Sequence, residues 1–169
     1  KYKSNKSDNQ HTYLFNFMNT EDFYKEENIS KTEEHASPSG GYKLVINTYN
    51  TKNVSKSNTW EYTQGFVYDQ DDNLIGSIKR NYSQFPFVFF INDNGTYLIS
   101  GRSYMRQTVL DCTTGQIHDN TEDPEGDDFC WASMQQLDAN TVMVNGCYWG
   151  GGYEYKFFDF SNLSKGWPE

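Results

Sequence analysis

The chain has 169 residues, a hydrophobic fraction of 36%, an aromatic fraction of 17% and a formal net charge of −9. One domain of this size buries roughly 70% of its unfolded surface, and a core poor in aliphatic residues has to be built from Phe, Tyr and Trp, which favour strands. The acidic balance repels phosphate backbones and anionic lipid, so neither nucleic acid nor a membrane surface is an expected partner.

No apolar run approaches the roughly 18 residues of a membrane-spanning helix. No basic start followed by an apolar stretch marks a signal peptide. The sequence opens at Lys1 and not at Met, so a trimmed chain or part of a longer one is expected.

In chain order, residues 1–36 read as a polar N-terminal arm. It carries one alternating apolar island, Tyr13-Leu14-Phe15-Asn16-Phe17, suited to a strand. A short helix over Thr20–Lys31 would have Thr20 as its cap and Glu21 and Asp22 in its first turn, with only Phe23 and Ile29 as an apolar stripe. The turn signal Ser37-Pro38-Ser39-Gly40-Gly41 closes the arm. Residues 37–169 then read as one β domain of short strands with period two.

That domain repeats. Asn94–Gly101 matches Ala139–Gly146 at an offset of 45, and each follows an aromatic strand, Phe85–Ile91 and Phe129–Met134. Gln107–Ile117 matches Gln64–Ile75 at an offset near 42, and Gly40–Ile46 takes the place of Gly95–Ser100. The third copy ends with Tyr155–Asn162, again a strand closing on Asp before turn residues. The recurring Asp is expected at hairpin tips, where its carboxylate bonds backbone N–H groups and the turn needs positive φ. The predicted fold is all-β, with about three blade-like four-stranded antiparallel units in a partial β-propeller or an open stack of sheets.

A repeat of this length carrying four short strands is that of WD40-type propeller blades. The motifs Arg80-Asn81-Tyr82-Ser83, Tyr104 with Gln107-Thr108-Val109, Phe129-Cys130-Trp131, Gly146-Cys147-Tyr148-Trp149 and Tyr153-Glu154 occur in that order. Together they resemble an uncharacterised family of small propeller-like proteins found in bacteria, fungi and large DNA viruses. The resemblance spans residues 62–167, leaves out the arm and implies no reaction. Three units fall short of the roughly four to eight blades of a closed ring. Part of a longer chain, a homodimer completing the ring, or an open stack would each resolve this, and the last two are favoured.

Chemistry-bearing residues are few. Asp119–Asp128 offers oxygen ligands without the spacing of a calcium loop, and Asp69-Gln70-Asp71-Asp72-Asn73 has Leu74 where such a loop needs Gly. Cys130, Cys147 and His118 lack a fourth zinc ligand, and three cysteines without CxxC spacing suit a reducing compartment. No metal, no cofactor and no catalytic group is therefore assigned. Glu154, in an otherwise apolar strand after three glycines, is expected to alternate outward.

The arginines Arg80, Arg102 and Arg106 lie within 27 residues, beside Tyr82, Tyr104 and Gln107. Such loop-borne residues serve as binding anchors. With Trp131, Trp149 and Glu154 they form the candidate ligand- or partner-binding set. The function expected is a non-enzymatic protein-interaction or assembly module in the cytoplasm, or, for a viral chain, in the host cytoplasm or the virion. The alternatives are a binding protein or hydrolase for a sugar or polar metabolite stacked on Trp131 and Trp149, and a structural component of a viral particle.

Overall fold

The computed structural model describes residues 20–52, 54, 60–120 and 129–163. Its strands are β1 Ile29–Ala36, β2 Tyr42–Asn50, β3 Glu61–Asp69, β4 Leu74–Arg80, β5 Val88–Asn92, β6 Gly95–Gly101, β7 Gln107–Asp111, β8 Ile117–Asp119, β9 Cys130–Gln136, β10 Thr141–Cys147 and β11 Glu154–Asp159. They form three antiparallel meanders in the orders β1-β2-β3-β4, β5-β6-β7-β8 and β9-β10-β11, here sheets 1, 2 and 3. The all-β expectation and the count of three units both hold. The fourth strand expected of the third unit is not among the described residues.

The repeat places equivalent segments equivalently. β6 and β10 are each the second strand of their meander, and the Gln64 and Gln107 segments each begin the third-to-fourth hairpin. The Asp carboxylates close the tips as expected. Asp69 Oδ1 accepts from the backbone of Asp71 and Asn73, Asp111 Oδ1 from Thr113 and Thr114, and Asp159 Oδ1 from Ser161; Asp138, outside that repeat, does the same for Asn140 and Thr141. Positive φ falls where these turns require it, at Asp72 (60°) and Gly115 (74°).

Two layers of core separate the sheets. Leu44, Ile46, Val67 and Ile78 of sheet 1 meet Phe89, Leu98 and Leu110 of sheet 2. On the other side of sheet 2, Phe90, Ile99 and Val109 meet Trp131, Val142 and Val144 of sheet 3. Successive residues of β5, β6 and β7 thus enter different cores, which is why those strands read as unbroken apolar runs. Gln136 of β9 ties the layers further: its Nε2 donates to the carbonyl of Ile91 (2.7 Å), and its Oε1 accepts from the Ile91 N–H (3.0 Å). One amide so satisfies both backbone groups of an edge residue.

The N-terminal boundary differs from the sequence reading. Residues 29–36, assigned there to the arm, are β1, paired with β2 from Ile29↔Tyr49 to Ala36↔Lys43. As an edge strand β1 is mostly exposed and carries Lys31, Glu33 and Glu34, so it lacks the apolar alternation by which strands are found. In place of a helix over Thr20–Lys31 there are two 3₁₀ turns, Thr20–Asp22 and Glu26–Asn28. The buried Asn28 amide donates to the carbonyls of Asp22 and Phe23, and the Phe23 ring stacks on Tyr62 at 4.7 Å. The strand expected at Tyr13–Phe17 lies outside the described residues.

Candidate functional site

β2, β4, β6 and β10 finish at one end of the stack, and β3, β5, β7, β9 and β11 begin there. Most of the candidate residues gather at this end, in unequal roles. Arg80, the last residue of β4, is 1% exposed. Its Nε donates to the carbonyl of Gln84 (2.8 Å), and its Nη1 donates to the carbonyls of Gly101 (2.9 Å) and Ser103 (2.7 Å). Burial lowers its pKa, from so high a starting value that the guanidinium stays charged. Arg80 therefore braces sheet 1 against the loop after β6, with none of these three donations left for a ligand.

Around that brace lies an aromatic chain. The Tyr104 ring sits 5.8 Å from the Arg80 guanidinium and 4.5 Å from the Tyr82 ring, and Tyr82 meets Trp60 edge-on at 5.3 Å. Desolvation first, and then the hydrogen bond with Tyr82, push the Tyr104 phenol up to about 12. At neutral pH it is an uncharged donor and acceptor. Trp60 Nε1 donates to the carbonyl of Asn81 (2.7 Å), a contact that sequence reading missed because Trp60 and Asn81 lie on different hairpins.

The remaining candidates divide. Gln107 is buried, its Nε2 donating to the Tyr104 carbonyl (2.6 Å). Arg102 is half-buried, with Nε on Asp119 Oδ1 at 3.2 Å, while Arg106 is exposed. Trp131 is 3% exposed in the core between sheets 2 and 3, its ring against Phe158 at 4.7 Å, whereas Trp149 is 89% exposed in the glycine loop after β10. The structure does not bring these two tryptophans to one surface, so they do not form the stacking pair foreseen for a sugar.

β11 reverses the expected alternation. Its register sets Glu154, Lys156 and Phe158 opposite Gly146, Val144 and Val142, on the face toward sheet 2. Glu154 lies at the exposed rim of that face. Lys156 is accommodated there because its ammonium lies 4.5 Å from the Phe129 and Tyr148 ring centres. Tyr155 and Phe157 consequently face away from the stack, 61% and 60% exposed, with Tyr153 just before them at 68%.

At the opposite end, an open concavity of ≈ 500 Å³ lies between Glu34, Tyr42, Lys43, Asp69 and Asp72. Two of its three carboxylates are occupied, Asp69 by its own turn and Asp72 by Lys43 at 2.9 Å. Among the described residues no group of three His, Cys, Asp or Glu side chains is arranged to hold a metal ion. Of the acidic stretch 119–128, residues 121–128 lie outside the described residues. No helix among the described residues is long and apolar enough to cross a membrane.

Among the described residues, fold and surface thus define a class: an all-β protein of three stacked meanders, with a braced aromatic end and exposed aromatic side chains on its last sheet. The chain is 38% identical over 150 residues to Uncharacterized protein R762 of Acanthamoeba polyphaga mimivirus, a match covering 88% of this chain. The matched region spans 58% of that relative's length. No family model matches, and no solved structure matches at a significant level. The viral side of the resemblance drawn from the motifs is supported by this relative.

Proposed function

We propose that the chain is a non-enzymatic interaction or assembly module whose sheets act as successive blades of an incomplete propeller-like stack. The observation that carries this reading is the outward face of β11. The apolar faces that build the two cores are each covered by a neighbouring sheet. Tyr155 and Phe157 are more than half exposed, and apolar surface of this kind marks a contact site. The exposed Trp149 and Tyr153 extend the patch toward the aromatic end, with rigid rings that lose little entropy on binding. The mimivirus relative favours a partner belonging to a viral assembly, and the net charge of −9 disfavours nucleic acid or an anionic membrane as that partner.

The partner is a protein, and a second copy of this chain, continuing the stack, is the first to test. Light scattering over a concentration series is expected to show twice the 19.7 kDa chain mass, and Phe157→Lys is expected to return the monomer. A wild-type chain that stays monomeric throughout removes the second copy as partner. A monomer stabilised by a glycan or polar metabolite, with the shift abolished by Trp149→Ala, would replace the interaction reading with a ligand-binding one.

A further inference from the structure

We propose that Cys130 and Cys147 are an oxidisable pair that closes to a cross-strand disulfide in the presence of a small-molecule disulfide such as oxidised glutathione. The two residues are directly opposed in the β9–β10 ladder, one at the start of β9 and the other at the end of β10. Opposed residues of an antiparallel pair project from the same face, with Cβ atoms about 4.5–5.5 Å apart. A disulfide asks for Cα atoms about 4.4–6.8 Å apart and Cβ atoms about 3.5–4.5 Å apart, so a small local approach suffices. The ladder is irregular between Asn145 and Gly146, just before this pair, and Cys147 leads directly into the loop of Gly150, Gly151 and Gly152. Both features let the end of the ladder adjust.

The division of labour follows from exposure. Cys147 is half-buried and accessible to the oxidant, while Cys130 is buried beside it. The Cys147 thiolate attacks one sulfur of the glutathione disulfide, forming a mixed disulfide and releasing one glutathione thiolate. The Cys130 sulfur, on losing its proton, attacks the Cys147 sulfur and expels the second glutathione. Two protons and two electrons leave the cysteines, and one glutathione disulfide becomes two glutathione thiols. Cys112 is the internal contrast: it is fully buried between sheets 1 and 2, and burial pushes its thiol up to about 12. The pair does not depend on the interaction reading.

The test uses the full chain equilibrated with oxidised glutathione, quenched and denatured. Titratable thiols are expected to fall from the three of the sequence to one, the intact mass to drop by about 2 Da, and a peptide map to link Cys130 with Cys147. Cys112→Ser is expected to show the same loss, and Cys147→Ser none. Three surviving thiols in the wild type, a link involving Cys112, or a lasting glutathione adduct on Cys147 without the link would each overturn the proposal. The wild-type map decides the matter even where a serine variant does not fold.

Discussion

Sheets 2 and 3 are built from matching repeats yet end in different environments. Sheet 2 is covered on both faces, and Phe89 and Phe90, Leu98 and Ile99, and Val109 and Leu110 divide pairwise between two cores. Sheet 3 commits Val142, Val144 and Phe158 to one core and leaves Tyr155 and Phe157 facing outward. The same aromatic residue type is therefore structural in one sheet and exposed surface in the next. What separates the two roles is the presence of a neighbouring sheet and not the local sequence.

Substitutions at matched aromatics test that contrast most strongly. Phe90 is fully buried, so Phe90→Ala is expected to cost about 3–5 kcal/mol in urea denaturation. Phe157→Ala in dilute solution should stay within about 0.5 kcal/mol of wild type. Similar losses at both sites would mean that sheet 3 is covered within the monomer. Arg80→Met leaves the carbonyls of Gln84, Gly101 and Ser103 without their donor, and a loss of about 3 kcal/mol is expected. An unchanged unfolding midpoint would show that Arg80 is no brace.

Backbone closeness gives a smaller effect. A Cβ at Gly146 would lie 2.1 Å from the Cys130 carbonyl oxygen, whereas one at Gly41 would meet nothing closer than 3.7 Å. Gly146→Ala should therefore cost about 2 kcal/mol, and Gly41→Ala almost nothing, by the same denaturation assay. The smallest effect is acid sensitivity at the turn tips. The carboxyl of Asp69 is held low first by the Asn73 side chain, and that of Asp138 first by the Asn140 N–H. With the folded pKa below the unfolded value of about 3.9, this stabilisation is present above that value and fades as pH falls through the folded one. Thermal scans from pH 5 downward should show a shallower decline for the doubly substituted Asp69→Asn, Asp138→Asn chain than for wild type.

Much of this architecture is legible in the residues. The hairpins closed by Asp69, Asp111 and Asp138 follow from local chemistry, since a carboxylate and two nearby N–H groups need no distant partner. The repeat offset near 42 carries the Asp69 hairpin onto the Asp111 hairpin, the third-to-fourth turns of sheets 1 and 2, whereas Asp138 closes the first turn of sheet 3. β1 escapes notice because an exposed, charged edge strand shows no apolar period. At the candidate site, the grouping of Arg80, Tyr82, Tyr104 and Gln107 is readable, because short connections bring them to one end. The burial of Arg80 is not, because it depends on carbonyls that another sheet supplies. Trp131 and Trp149 look equivalent as residue types, but one lies in a strand covered by sheet 2 and the other beside three glycines.

The uncovered face of sheet 3 is tested most directly by hydrogen exchange of the β11 amides across a protein concentration series, with β6 as the internal reference. The expectation is that β6 stays slow at every concentration and that protection of β11 rises as the second copy covers Tyr155 and Phe157. Protection of β11 equal to that of β6 in dilute monomer, and unchanged on concentration, would contradict it.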